Sequence, residues 1–128
     1  MILGLGIDLV EVARIERILG DETPRARRFI DRCFTRDEQA TCEARRDRAS
    51  GYAARFAAKE AVVKALGAPA GVRWTDVEVV RPAGPPQVRL AGAAEAAARA
   101  RGVARVHLTL THDGGIAAAA AVLEGEGA

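Results

Sequence analysis

The stretch Arg55–Gly67, with the sequence Arg-Phe-Ala-Ala-Lys-Glu-Ala-Val-Val-Lys-Ala-Leu-Gly, decides the fold of this 128-residue chain. It ends a longer helical pattern that runs from about Gly51 to Leu66 and is rich in alanine. Gly67, with Pro69 just beyond it, predicts where the helix stops. Because most other residues of the stretch are alanine, valine and phenylalanine, we expect a helix at the centre of the fold rather than on a wet surface.

By helical spacing, one face of this helix carries Phe56, Glu60, Lys64 and Gly67. One interpretation is an exposed Glu60–Lys64 ion pair, worth about 0.3–0.5 kcal/mol. The chain, however, has 17 arginines and only two lysines, Lys59 and Lys64. Lysine in this arginine-rich background indicates a task for a compact ammonium that a planar guanidinium cannot perform.

A second acidic residue lies on the first predicted strand, Ile2–Leu9, where apolar residues alternate with small or acidic ones. Gly4, Gly6 and Asp8 share one face of that strand. An unpaired buried carboxylate costs several kcal/mol, so Asp8 needs a partner. It could cap the helix that follows, or it could hold a hard cation with Glu60, since Mg²⁺ is usually bound by one or two carboxylates.

The remaining pattern predicts short helices and strands in an α+β order. Pro24 suits a helix start, and Thr35 with Glu38 forms a capping box. An Asp-Gly pair between two apolar runs predicts a hairpin. The expected elements are helices 11–19 and 24–31, a two-turn helix after Thr35, strands 76–80 and 87–90, helix 93–100, and strands 103–111 and 116–123. We expect one domain over residues 1–128, with the tail 124–128 frayed.

Composition excludes several classes of protein. No apolar run approaches the roughly 20 residues that a membrane helix needs, and the first ten residues lack the basic leader of a signal peptide. Cys33 and Cys42 have no metal-ligand partners nearby, so free thiols and a cytoplasmic location are expected. A net charge of +2 with 4% aromatic residues does not favour nucleic-acid binding or an RNA-binding module.

Arginines crowd the early part of the chain, with acidic residues between them. The pattern allows two interpretations, a solvated and charge-balanced face or a surface for an acidic partner. The arginines of this early segment are Arg14, Arg17, Arg25, Arg27, Arg28 and Arg32.

Together these motifs carry a family resemblance. The chain has Gly6-Ile-Asp8, then Arg14, then Phe34-Thr-x-x-Glu38, then Arg55-Phe-x-x-Lys59-Glu60-Ala-x-x-Lys64-Ala. In this order and spacing the set resembles the holo-acyl-carrier-protein synthases, which are small phosphopantetheinyl transferases. The turn Gly84-x-Pro86 and the strand end Leu108–His112 also fall where that family has theirs.

The resemblance implies an antiparallel sheet with a long central helix, assembled as a homotrimer that binds coenzyme A between subunits. It implies transfer of the 4′-phosphopantetheine arm from coenzyme A to a serine of an acidic acyl carrier protein, with Mg²⁺ held by Asp8 and Glu60. The implied catalytic residues are Asp8, Glu60 and Lys64, and the implied coenzyme-binding residues are Arg55, Lys59, Lys64, Gly67, Pro86 and His112. The carrier protein would dock on Arg14, Arg17, Arg25 and Arg28.

Some questions stay open at this level. The proton acceptor could be a metal-bound water or a carboxylate. A non-catalytic nucleotide-binding trimer of the same fold is the alternative function, although the intact acidic and lysine residues argue against it. The chain departs from the family in its loop at residues 68–71 and at Ile116, where an aromatic residue is common.

Overall fold

The structure, a computed structural model, describes residues 1–127 and has an α+β architecture. Strands β1, β5 and β4 form one antiparallel sheet in that order, and β2 and β3 form a second, two-stranded sheet. The α+β prediction with antiparallel sheets is therefore confirmed. The elements are β1 (Ile2–Glu11), α1 (Val12–Leu19), α2 (Pro24–Cys33), α3 (Arg36–Glu43), α4 (Arg48–Ala65), a 3-10 helix (Trp74–Asp76), β2 (Val77–Val80), β3 (Gln87–Leu90), α5 (Gly92–Ala100), β4 (Val103–Asp113) and β5 (Ile116–Gly125).

The long helix α4 lies directly on β1 because two glycines remove the side chains that would separate them. A Cβ on Gly6 would lie 1.9 Å from the carbonyl oxygen of Ala61, and one on Gly4 would lie 2.3 Å from that of Ala65. The neighbouring strand β5 also presents small residues to the core, mostly alanines. Asp8, on the same face of β1, is thereby brought close to α4.

The opposite face of β1 is apolar and uncovered. Leu5, Ile7 and Leu9 are 71%, 64% and 65% exposed. Their partners on β5 across this face are Val122, Ala120 and Ala118. Within residues 1–127 no second layer covers this stripe, which is unusual for side chains of this size.

The helices α3 and α4 both begin at side-chain caps, and only the first of these caps was predicted. Thr35 and Glu38 form the expected capping box at the start of α3. The helix α4 begins three residues earlier than the pattern predicted, at Arg48. The reason is Asp47, whose carboxylate accepts hydrogen bonds from the backbone N–H of Ser50 at 3.1 Å and from its hydroxyl at 2.6 Å.

Residues 124 and 125 are more ordered than predicted. Strand β5 continues through Glu124 to Gly125 because it pairs with β1 on one side and β4 on the other. The backbone N–H of Gly125 donates to the carbonyl of Met1 at 2.8 Å. The predicted fraying was wrong for Glu124 and Gly125, whereas Ala128 lies outside the described residues.

Both cysteines, Cys33 and Cys42, are free and buried, as expected. Burial raises the pKa of the Cys42 thiol to about 11, so this group stays neutral at physiological pH. None of the helices within residues 1–127 has the length and apolar character needed to span a bilayer.

Candidate active site

The pair at the centre of the candidate site joins β1 to α4. The ammonium of Lys64 lies 2.9 Å from Oδ1 of Asp8 and also donates to the carbonyl oxygen of Ile7 at 3.1 Å. Lys64 thus pairs with Asp8 and not with Glu60 four residues earlier. Asp8 does not cap α1 either, because the N-cap position is Glu11. Both simpler interpretations of these residues are therefore replaced by a contact between strand and helix.

Glu60 completes an acidic pair with Asp8. The helix turn that carries Lys64 also carries Glu60, which is half-buried. Burial raises the pKa of the Glu60 carboxyl and the charge of Asp8 raises it further, while Lys64 and Arg14 lower it. Two carboxylates in partial burial repel each other, so the site favours an additional cation.

The donor set suits a hard divalent cation that keeps water or phosphate ligands. Mg²⁺ binds carboxylate oxygens and usually retains other oxygen ligands from solvent or substrate. Among the residues that the structure describes, no group of three or more histidine, cysteine or acidic side chains is placed to form a metal cage. Asp8 and Glu60 supply two carboxylates of the kind that Mg²⁺ accepts, and a phosphate ligand would add further oxygen atoms.

Lys59 forms a buried ion pair that the sequence did not predict. Its side chain is completely buried and pairs with Glu38 at 2.7 Å. It also donates to the carbonyl oxygens of Trp74 and Val77, so all three of its protons are used. A buried and fully paired ammonium offers no proton to a ligand, so the predicted contact between Lys59 and the coenzyme has no support in this geometry.

Arg55 has unused hydrogen-bonding capacity. It is only 3% exposed, its Nη1 donates to the carbonyl of Gly51 at 3.3 Å, and its Nε has no partner within residues 1–127. A buried guanidinium without an anionic partner is costly. Its position therefore suits an anion supplied from outside the described chain.

His112 lies at the end of β4 beside the first turn of α4. It lines a cavity of about 610 Å³ together with Asp47 and Ser50. The other predicted coenzyme-binding residues lie elsewhere on the subunit. Gly67 follows α4 with a φ of 84°, and Pro86 lies in the loop between β2 and β3.

Two of the predicted docking arginines line a groove with an aromatic floor. Its volume is about 660 Å³, and Arg25 and Arg28 lie on it with the rings of Phe29, Phe56 and Trp74. The other two predicted residues, Arg14 and Arg17, are exposed on α1.

Sequence reasoning missed two polar residues that hold α4 in place. Glu38 was assigned only to a capping box, yet its carboxylate also accepts from Lys59 and from the backbone N–H of Val79 at 2.9 Å. Arg101 donates to the carbonyls of Ala65 at 2.8 Å and Leu3 at 2.5 Å. The rarity of lysine was a usable signal for the first residue, because a buried lysine requires an acid. Nothing local marked Arg101.

The glycine-lined strand with Asp8 and the long helix with Glu60 and Lys64 lie in a stretch that matches a known class of protein. A sequence model of the 4′-phosphopantetheinyl transferase superfamily matches residues 4–120. The chain therefore belongs to that superfamily.

Within the superfamily, the chain is similar in sequence to proteins named as holo-[acyl-carrier-protein] synthases. The holo-[acyl-carrier-protein] synthase of Anaeromyxobacter dehalogenans (strain 2CP-C) is 65% identical over 127 residues, covering 99% of both chains. That of Myxococcus xanthus is 52% identical over 126 residues, covering 98% of both.

Solved structures that resemble this fold are synthases of the same name. The synthase of Neisseria meningitidis superposes with a TM-score of 0.83 at 29% identity, covering 97% of this chain and 99% of that one. The Bacillus anthracis synthase, solved in complex with CoA (3′,5′-ADP), gives a TM-score of 0.78 at 32% identity, covering 98% and 99%.

Proposed function

We propose that this chain transfers the 4′-phosphopantetheine arm of coenzyme A to a serine of an apo acyl carrier protein, with adenosine 3′,5′-bisphosphate as the second product. The observation that carries the proposal is the Asp8–Lys64 contact beside Glu60, which gathers two carboxylates and one cation at the meeting of β1 and α4. The synthase names of the sequence relatives support the same activity.

The reaction needs charge neutralisation and positioning more than covalent help from the enzyme. The hydroxyl oxygen of the carrier's serine attacks the phosphorus that bears the pantetheine arm and passes its proton to a carboxylate or a water. The P–O bond to the other phosphate breaks, and adenosine 3′,5′-bisphosphate leaves. Lys64 would donate to a phosphate oxygen as negative charge develops there. The nucleophile belongs to the partner, so the chain needs no catalytic serine of its own.

Asp8 and Glu60 are the residues that would hold Mg²⁺. When bound, the metal neutralises charge on the pyrophosphate oxygens. The two carboxylates lie on a strand and a helix that are fixed against each other by Gly4 and Gly6, so their positions are set before any ligand arrives. This arrangement suits rigid orientation of a phosphate.

We propose a homotrimer with the coenzyme between neighbouring subunits. The uncovered stripe of Leu5, Ile7 and Leu9 supplies an apolar surface for assembly. Arg55, with its unpaired Nε, and His112, in the cavity beside α4, are the residues that we expect to meet phosphates of coenzyme A. Gly67 and Pro86 would complete the site from their loops. The expected cytoplasmic location stays a prediction.

The arginine-rimmed aromatic groove is the proposed docking surface for the carrier protein. Positive side chains around apolar rings suit an acidic, amphipathic helix, because charge steers the approach and the rings supply contact area. Arg25 and Arg28 rim the groove itself. Arg14, whose charge acts on Glu60, and Arg17 on the same helix would extend this surface toward the reaction centre.

The activity is tested by mass spectrometry of an apo carrier protein incubated with the purified chain, Mg²⁺ and coenzyme A. We expect a gain of about 340 Da on the carrier, the mass of the added arm. Asp8→Asn and Glu60→Gln should abolish the gain, whereas Ala96→Glu on the exposed side of α5 should not. No mass gain over a panel of fatty-acid and polyketide carriers would refute the proposed activity.

The docking surface is tested by reversing one charge of the groove. Arg28→Glu should raise KM for the carrier by roughly tenfold, because it places an acid against an acidic partner, and leave KM for coenzyme A unchanged. The matched control is Arg99→Glu on α5, which lines a different groove. A similar rise for both substrates would contradict the docking role.

A further inference from the structure

The lysine at the candidate site holds the carboxylate that a metal would need. The ammonium of Lys64 lies 2.9 Å from Oδ1 of Asp8, and the only other lysine of the sequence, Lys59, is fully buried. The side chain of Asp8 is 17% exposed and that of Lys64 is 51% exposed. The carboxylate is thus fixed on its strand, while the lysine is the partner that is free to move.

We propose that Lys64 is a built-in substitute for the metal, neutralising Asp8 in the metal-free protein and leaving it when a divalent cation binds Asp8 and Glu60. The released ammonium is then available to a phosphate of the substrate. This inference rests on the proposed function and adds an order of events to it.

The exchange follows from charge and from the stiffness of the two elements. A divalent cation on the same carboxylates would lie within a few ångströms of the ammonium, where two positive charges repel each other. Gly4 and Gly6 let β1 pack directly on α4, so Asp8 and Glu60 lie on two closely packed elements and the lysine side chain is the part that moves. The half-exposed lysine side chain has a flexible stem of four carbons, so its ammonium moves at little cost in free energy.

In this exchange Lys64 has a different partner in the metal-free site and in the metal-bound site. Without metal, Lys64 offsets the repulsion between the two carboxylates, which would otherwise face each other in partial burial. With metal, the same ammonium becomes a donor for phosphate. A phosphate ester would therefore meet the free ammonium only at a site that already holds its cation.

The scarcity of lysine gives a direct test with the full-length protein. Acetylation by an N-hydroxysuccinimide ester can modify only Lys64 and the terminal amine, since Lys59 is buried. Saturating Mg²⁺ should raise the rate at Lys64 several-fold over sodium chloride of equal ionic strength, as measured by peptide mass spectrometry. The terminal amine of Met1 is the internal reference. In Asp8→Asn, Lys64 should react fast with or without Mg²⁺.

Calorimetry of Mg²⁺ binding separates an exchange from a general charge effect. Lys64→Met should raise the affinity by roughly tenfold, the scale of one ion pair removed near the surface. The matched control is Arg14→Met, because Arg14 acts on the charge of Glu60 yet makes no hydrogen bond to Asp8 or Glu60 within residues 1–127. Equal gains for the two variants would show that Lys64 is only a nearby charge and would overturn the inference.

The outcomes distinguish this inference from the proposed function. If the carrier gains mass but Mg²⁺ leaves the Lys64 rate unchanged or lower, the exchange is wrong and the transferase stands. If Mg²⁺ exposes Lys64 but no carrier is modified, the transferase is wrong and the exchange stands. Failure to bind Mg²⁺ at all would overturn the exchange together with the metal site.

Discussion

At the scale of single residues, Gly6 decides whether the candidate site can form. Its missing side chain lets the carbonyl of Ala61 approach so closely that any Cβ would clash with backbone, which cannot rotate away. This contact sets the separation between β1 and α4, and with it the separation between Asp8 and Glu60.

Gly6→Ala should therefore damage both stability and activity. We expect a loss of about 3 kcal/mol or more in the free energy of unfolding, measured by urea denaturation, because overpacking against backbone has no side chain to yield. Any folded fraction should bind Mg²⁺ poorly. Gly127→Ala, where an added Cβ meets nothing within 4 Å, is the control. Wild-type stability in Gly6→Ala would contradict the close packing described here.

At the scale of elements, the buried Lys59–Glu38 pair joins α4 to its neighbours. Glu38 belongs to α3, and Lys59 also holds the carbonyls of Trp74 in the 3-10 helix and Val77 in β2. Burial lowers the pKa of Lys59 while the charge of Glu38 opposes that shift. The ammonium is stable inside the protein only because its partners supply the hydrogen bonds that water would otherwise make.

Removing one member of this pair should cost more than removing both. Lys59→Met leaves Glu38 as an unpaired buried acid, with an expected loss of about 3–5 kcal/mol in the free energy of unfolding. The double variant Lys59→Met with Glu38→Gln should recover part of that loss, because no net charge then remains buried. A double-mutant cycle by chemical denaturation measures the coupling. Strictly additive losses would show that the two residues do not act as a pair.

At the scale of the whole molecule, the uncovered stripe on β1 predicts self-association. Leu5→Glu changes a side chain that is 71% exposed in the single subunit, so the subunit should still fold. In the proposed trimer the same charge would be buried, and assembly should fail. Sedimentation equilibrium should show a monomer for Leu5→Glu and a trimer for both the native chain and Ala96→Glu. A trimer of Leu5→Glu would place the interface elsewhere.

The sequence predicted local features better than distant contacts. Helices, strands and the Thr35 capping box follow from short-range spacing, and most were placed within a few residues. Asp8 and Glu60 were assigned to the correct elements, but their approach depends on a crossing of β1 and α4 that no local pattern encodes. The buried ion pair of Lys59 was not foreseen because its acid partner, Glu38, lies 21 residues away in the chain.

The edge position of β1 has a further consequence for the newly made subunit. An edge strand with apolar side chains and unpaired backbone groups is a template for aggregation. Two cations already occupy carbonyls of this strand, since Lys64 binds that of Ile7 and Arg101 binds that of Leu3. These two contacts leave fewer free carbonyl acceptors on the strand for pairing with a strand of another molecule.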